Sequence, residues 1–362
     1  MIDISSDLEL QLIVTGTHLS KKFGETIKEI EDDGFEINDK IDLNLVSDTP
    51  VGLSKSTSIG VYGFANAFSS LKPNLILVLG DRFEILSAVT AAMFARIPIA
   101  HLHGGELSEG AIDDVIRHAI TKFSHLHFVA NEEYKKRVIQ LGENPKFVFN
   151  VGGLGVDAIK NTDLLNKEDL EESLGIRFKK KNLLITFHPA TLEQNSSLDQ
   201  INELIKALST FRDTCLIFTM PNADNDHRVI FQKIKDFSSK NHNVYTFPSM
   251  GQLRYLSCIA HVDAVVGNSS SGLAEVPTFN KPTINIGDRQ KGRIKALSVI
   301  DCMPSCNDIK NAIIKSYSDE FRNQLPNIVN PYGDGGASDR IIKILSEIEF
   351  DSLLKKEFYD LD

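Results

Sequence analysis

Residues 264–272 read AVVGNSSSG: three apolar residues, a glycine, then one asparagine and three serines closed by a second glycine. The pattern is that of a short buried strand, a polar turn and the start of a helix. Gly267 and Gly272 let the backbone come close to a ligand. Asn268, Ser269 and Ser270 place polar groups on the turn, and serines can both cap a helix and donate hydroxyl hydrogen bonds. A helix starting near Ser271 would aim its free N–H groups and positive dipole end at an anion. Phosphate binding is the functional reading, and a simple N-cap and turn is the structural alternative. Glu275, within that helix, either accepts from ribose hydroxyls or complements the dipole.

Outward from this loop the same unit recurs. Apolar runs at 11–15, 75–79, 97–102, 126–130, 147–151, 183–187, 215–219, 243–247, 264–266 and 283–286 are rich in Val, Ile, Leu and Phe and do not alternate strictly. That composition suits parallel strands buried on both faces. Helical stretches lie between them. In 132–141, Tyr134, Val138 and Leu141 are spaced by four and three, and Gly142 makes a stop. The rhythm predicts an α/β fold of two Rossmann-like, doubly wound domains. The boundary falls in 155–182, which holds a charge-rich helix and the basic run Lys179–Lys181. We read residues 1–160 as the first domain and 161–337 as the second. Residues 338–362 read as helix that can cross back onto the first.

The bulk properties agree with this division. A chain of 362 residues suits two domains, and 42% hydrophobic residues can fill two cores. A net charge of −10 argues against sequence-independent nucleic-acid binding, which rests on Lys and Arg meeting phosphates. It leaves room for a local anion site. Cys215, Cys258, Cys302 and Cys306 lack metal-like spacing and read as free thiols. The first ten residues, MIDISSDLEL, have no basic start and no apolar run. No stretch approaches the roughly 20 apolar residues needed to span a bilayer. A cytoplasmic protein with no membrane partner is expected.

In open α/β sheets, ligands bind outside the carboxyl ends of strands. The residues there are Gly80-Asp81-Arg82, His103-Gly104-Gly105-Glu106, His188-Pro189, the 267–272 loop, and Gly287-Asp288-Arg289-Gln290-Lys291-Gly292-Arg293. Arg289 and Arg293 can grip phosphate with a planar fork, or be solvated charges. Asp81 is a candidate acid or base, or else only pairs with Arg82. Residues 111–122, AIDDVIRHAITK, read as a helix with acids in its first turn. There Asp113 and Arg117, and Asp114 and His118, stand four apart, as stabilising pairs do. Alternatively Asp113 points toward a ligand cleft. His188, before a rigid proline, is a candidate proton carrier, and His18 follows strand 11–15 in an equivalent place.

Taken together, GDR (80–82), HGGE (103–106), the 112–122 helix, FHP (187–189), GNSSSG (267–272) and NIGDRQKGR (285–293) resemble the hydrolysing UDP-N-acetylglucosamine 2-epimerases. The branch acting on UDP-2,4-diacetamido-trideoxy sugars, for legionaminic acid, is similar to about the same degree. The resemblance runs through nearly the whole chain. It implies the GT-B form of the two-domain fold, UDP in a cleft, no metal or nicotinamide cofactor, and a homodimer or homotetramer. It implies that UDP-N-acetylglucosamine and water give N-acetylmannosamine and UDP, by elimination to a glycal and then hydration. The matching catalytic positions are Asp81, Asp113 and His188, with His103 or Glu106 taking the place of a glutamate that some members carry in HIEGGE. His18, Ser269, Ser270, Glu275 and Arg289 match nucleotide-contacting positions, with Arg82 beside Asp81 as a further candidate. A diacetamido-sugar epimerase, a GT-B glycosyltransferase and a non-catalytic UDP-sugar-binding protein are the alternative readings. The family begins with one more strand than is seen here. About twenty residues are missing by that comparison, and losing a buried strand removes backbone hydrogen bonds and apolar contacts, so weak activity is expected of the chain as written.

Overall fold

The computed structural model describes residues 2, 5–20, 25–45, 49–108, 112–189, 196–220 and 227–361. The chain divides into two compact units. The first comprises residues 1–106, 111–153 and 336–362, and the second comprises 107–110 and 154–335.

The first unit runs β1 (Ile13–Thr15), α1 (Ile27–Asp32), β2 (Asp39–Ile41), α2 (Pro50–Leu71), β3 (Ile76–Leu79), α3 (Phe83–Ala95), β4 (Ile99–Leu102), α4 (Ile112–Phe123), β5 (Leu126–Val129), α5 (Glu132–Gln140) and β6 (Val148–Asn150). Strands β3-β4-β5-β6 form one parallel sheet in chain order, and β1 pairs with β2 in a second. Helix α5 starts where Asn131 Oδ1 accepts from the Tyr134 N–H at 3.0 Å, and Tyr134 and Val138 are fully buried.

The second unit runs α6 (Leu154–Asn161), α7 (Lys167–Leu174), β7 (Lys181–Thr186), α8 (Ser196–Leu208), β8 (Thr214–Thr219), α9 (His227–Ser238), β9 (Val244–Phe247), α10 (Gly251–His261), β10 (Ala264–Gly267), α11 (Ser271–Ala274), β11 (Thr283–Ile286), β12 (Val299–Cys302), α12 (Cys306–Ser316) and α13 (Asp319–Arg322). Its six strands lie in the order β9-β8-β7-β10-β11-β12, all parallel. That is the 3-2-1-4-5-6 order of doubly wound dinucleotide-binding sheets. Both faces of the sheet are covered. Leu183, Ile185 and Phe218 pack into one core, Leu184, Ile217 and Val265 into another. Two-sided burial is why these strands read as continuous apolar runs.

All ten expected strands are present, with ends shifted by a residue or two. Two more, β2 and β12, escape a reading by apolar runs, because β2 (Asp39–Ile41) holds a single apolar residue and β12 exposes Asp301. Apart from the short excursion at 107–110, the chain passes into the second unit after Gly153, where 160 was expected, and Ile159 of α6 is buried in a core of the second unit. The last segment is a helix only in part. Helix α14 (Ala337–Glu347) gives way to a 3-10 turn at Phe350–Leu354 and then to irregular chain, all of it within the first unit. Among the described residues no helix is long and apolar enough to cross a membrane.

Candidate functional site

In the second unit the strand order reverses between β7 and β10, the switch point where doubly wound sheets bind their ligands. The two strands meet so closely that a Cβ on Gly267 would stand 1.9 Å from the Thr186 carbonyl oxygen; with φ at +143°, only glycine fits. The loops leaving them are laced together. Asn268 Oδ1 accepts from the His188 N–H at 2.7 Å, and Asn268 Nδ2 donates to the His188 carbonyl at 2.9 Å. The Asn268 carbonyl in turn accepts from Arg289 Nη1 at 3.0 Å and Gln290 Nε2 at 2.8 Å. His188, Asn268 and Arg289 therefore form one block at the strand ends.

A cavity of about 440 Å³ opens there, lined by Thr186, His188, Thr219, Tyr255, Ser269, Ser270, Ser271 and Arg289, with Met220 and residues 248–252 completing the wall. Burial, helped by the Arg289 cation, pushes the His188 imidazole down to about 4. It is thus neutral at pH 7, able to accept a proton or to donate an uncharged N–H.

The serine loop departs from the sequence expectation in one respect. Helix α11 is a single turn, followed at once by a 3-10 turn at Val276–Phe279. A macrodipole needs many aligned peptides. The polar groups that line the cavity here are thus hydroxyls and the Arg289 guanidinium. Glu275 is turned inward. Its Oε2 accepts from the Ser271 hydroxyl at 2.5 Å, and Ser271 accepts from Tyr255 Oη at 2.9 Å. Burial raises the Glu275 carboxyl and pushes the Tyr255 hydroxyl up to about 12. Glu275 meets the cavity through Ser271. Gly272 packs against Thr283, whose hydroxyl donates to its carbonyl at 2.6 Å.

In the first unit a second cluster forms at the ends of β3 and β4. Asp81 accepts an ion-paired hydrogen bond from Arg117 Nη2. Pairing with the neighbouring Arg82 was the alternative to an acid–base role for Asp81; Arg82 reaches Glu84, Nε to Oε2 at 3.3 Å. Arg117 is 1% exposed, and its Nη1 also donates to Asp114 Oδ1 at 3.2 Å and to the Glu106 carbonyl at 2.9 Å. On α4 the contact from Arg117 thus runs to Asp114, three residues back, and His118 Nε2 lies 3.5 Å from Asp114 Oδ2. Asp113 stands half-buried in the same first turn.

His103 adopts φ +63°, a conformation side chains rarely take, and its Nδ1 lies 2.7 Å from Glu106 Oε1. The turn is fixed at Gly105, where a Cβ would meet the Tyr134 carbonyl oxygen at 2.5 Å. His18 lies in the 3-10 turn after β1, its Nδ1 2.7 Å from Thr26 Oγ1. The sequence reading missed His101. It is fully buried, its Nε2 is 2.9 Å from the Gly80 carbonyl, and burial holds its imidazole down at about 3. Tyr255 and Gln290 were also missed. No loop motif marks Tyr255, and Gln290 sits between two arginines that draw the eye. Arg293, read as a phosphate candidate, donates to the Leu107 carbonyl at 3.0 Å and lies 3.2 Å from Ser108 Oγ. Among the described residues no group of three or more His, Cys, Asp or Glu could hold a metal ion, and all four cysteines are free.

A six-stranded doubly wound sheet with a polar cavity at its switch point, in a chain whose other unit carries clustered carboxylates and imidazoles, defines a doubly wound α/β protein with its ligand site at the strand ends. The family model for UDP-N-acetylglucosamine 2-epimerase matches residues 1–346, and the chain belongs to that family, on its hydrolysing branch. It is 46% identical to a GDP/UDP-N,N'-diacetylbacillosamine 2-epimerase (hydrolyzing) of Campylobacter jejuni over 99% of this chain and 94% of that protein. It is 40% identical to the polysialic acid biosynthesis protein P7 of Escherichia coli, over 100% and 92%. The fold matches the crystal structure of UDP-GlcNAc 2-epimerase from Neisseria meningitidis bound to UDP-GlcNAc with a TM-score of 0.80 at 19% identity, over 96% and 94% of the two chains.

Proposed function

We propose that this chain hydrolyses a UDP-linked 2,4-diacetamido-trideoxy hexose with inversion at C2, releasing the free C2 epimer and UDP. The reading that UDP-N-acetylglucosamine is the substrate gives way to this one. The observation that carries it is the 46% identity, along 99% of the chain, to the diacetylbacillosamine enzyme. The reaction class agrees with the groups present. The C2 proton is weakly acidic, and a positioned base must remove it while the C1–O bond to UDP breaks, which leaves a C1=C2 double bond. Water then adds its oxygen to C1, and a proton returns to C2 on the opposite face.

In this assignment Asp81, Asp113 and the His103–Glu106 pair move protons, with His103 and Glu106 together taking the place of the glutamate that some members carry. His188 acts as a neutral imidazole. The UDP leaving group needs its growing negative charge met by pre-placed donors. Ser269 and Ser270 supply them on the loop shaped by Gly267, Asn268 and Gly272, and Arg289 supplies one from the loop after β11. Glu275 orders Ser271, and His18 and Arg82 are further nucleotide contacts.

The test is turnover of the two nucleotide sugars side by side in deuterated water. The expected result is UDP release from the diacetamido sugar, at a kcat/KM at least about tenfold above that for UDP-N-acetylglucosamine, with one deuterium at C2 of the freed sugar. Preference for UDP-N-acetylglucosamine would overturn the substrate. Sugar transfer to an acceptor without C2 label would overturn the reaction.

A further inference from the structure

We propose that Arg117 is the positioning residue of the proton-moving cluster in the first unit; the inference rests on the reading of Asp81 and the His103–Glu106 pair as acid–base groups. Among the fully buried side chains Arg117 is the largest. A guanidinium carries five donors in a rigid fork, and this one spreads them over three chain segments: Asp81 after β3, the Glu106 carbonyl after β4, and Asp114 on α4. One bond would suffice to pin a helix to a sheet. Three directed bonds instead fix the relative placement of the carboxylate of Asp81 and the turn that carries both His103 and Glu106.

The arrangement is closed from below. His101 Nε2 is 2.9 Å from the carbonyl of Gly80, the residue preceding Asp81, while His101 Nδ1 lies under Gly104 and within 3.4 Å of Thr121 Oγ1. The Thr121 hydroxyl donates at 3.0 Å to the Arg117 carbonyl. Asp81 is therefore held through its side chain by Arg117 and through its backbone by His101. Lysine, with one point charge and no fork, cannot reproduce two bonds from one nitrogen and a third from another at fixed angles.

The experiment uses the full chain with Arg117→Lys and Arg117→Ala. Carboxyl labelling by a water-soluble carbodiimide and an amine, read by mass spectrometry, reports on Asp81, with exposed Asp199 as the internal standard. In Arg117→Lys, Asp81 labelling should rise clearly above the wild-type level while Asp199 stays constant. With the nucleotide sugar that the wild type consumes, kcat should fall about a hundredfold, as misplacement by an ångström does, with KM within about threefold. Added guanidinium chloride should restore part of the lost kcat to Arg117→Ala, and sodium chloride at equal ionic strength should not. Unchanged Asp81 labelling in Arg117→Lys overturns the proposal, as does a kcat within about threefold of wild type. If Arg117→Ala fails to fold, Arg117→Lys decides alone. If the wild type consumes neither sugar, the substrate reading fails and the labelling still decides the role of Arg117.

Discussion

Lys356 Nζ lies 2.7 Å from Glu143 Oε2, and this ion pair ties the tail of the chain to the interior of the first unit. The same ammonium donates to the carbonyls of Lys122 at 2.8 Å and Ser124 at 2.6 Å, at the C-terminal end of α4. A cation there complements the helix and satisfies carbonyls that lack a partner within it. Glu143 also receives Lys122 Nζ at 2.6 Å and His127 Nε2 at 2.9 Å. Nearby, the Tyr359 N–H donates to the Gly142 carbonyl at 3.0 Å, and Lys122 Nζ stands 4.9 Å from the centre of the Phe358 ring.

Removing one partner of a buried ion pair costs about 3 kcal/mol or more, because the other charge stays buried. In Lys356→Met the Glu143 carboxylate keeps Lys122 and His127, so the first unit should lose only part of that, about 1–2 kcal/mol, seen as a lower denaturant midpoint. Lys356→Arg should lose less. A midpoint unchanged in Lys356→Met would mean that the tail only rests on the surface.

The same carboxylate predicts an acid response. Burial alone would raise the Glu143 carboxyl, but the donors from His127, Lys122 and Lys356 bring it down to about 2 from 4.5. A folded value below the unfolded one gives stability that is complete above pH 4.5 and lost as pH falls toward 2. Thermal unfolding from pH 6 to pH 2.5 should show this loss, and Glu143→Gln should have a shallower acid slope. Equal slopes in the two proteins would refute it.

His188 sets a second pH dependence. Its imidazole titrates near 4, first through burial and second through Arg289. If neutral His188 is required, the acid limb that it sets in kcat/KM lies near pH 4 rather than near 6.5. Arg289→Gln removes the cation, so the limb should move upward in pH while overall activity falls. A limb that moves downward would contradict the electrostatic origin.

At the switch point, Gly267→Ala would set a methyl group 1.9 Å from the Thr186 carbonyl. Strands β7 and β10 would have to part. A loss of about 3 kcal/mol or more is expected from the clash and the disfavoured φ, measured by urea unfolding. An alanine variant as stable as wild type would show that the two strands can separate freely.

Asp113→Asn is nearly isosteric and should keep the circular-dichroism spectrum and melting temperature. Turnover should drop by a factor of about 10² or more, the contribution of a positioned acid or base. Wild-type turnover in this variant would return Asp113 to a stabilising place in the first turn of α4.

The sheets were legible because their strands are buried on both faces and so announce themselves as apolar runs. Strand β2 gave no such signal, since Asp39 and Lys40 carry two of its three positions. The loops of the switch point were legible from glycine and serine placement, but the length of α11 was not. The stop signal, Pro277, lies three residues past the last helical position, outside the glycine-and-serine stretch that marks the loop. The partner of Asp81 was hidden for a different reason. Arg117 sits 36 residues away on a helix with a strongly charged first turn, and only the fold shows that its guanidinium turns into the interior. Ion pairs made across a sheet leave no spacing in the sequence, whereas caps and turns do.

The first unit is assembled from three stretches of chain, the last of them residues 336–362. Domains usually mature in the order of synthesis, the N-terminal one first. Here the ribosome must deliver all of residues 154–335 before Lys356 can reach Glu143. The half made first is therefore finished last, and a nascent chain stalled beyond the second unit would expose an unsealed first unit to chaperones.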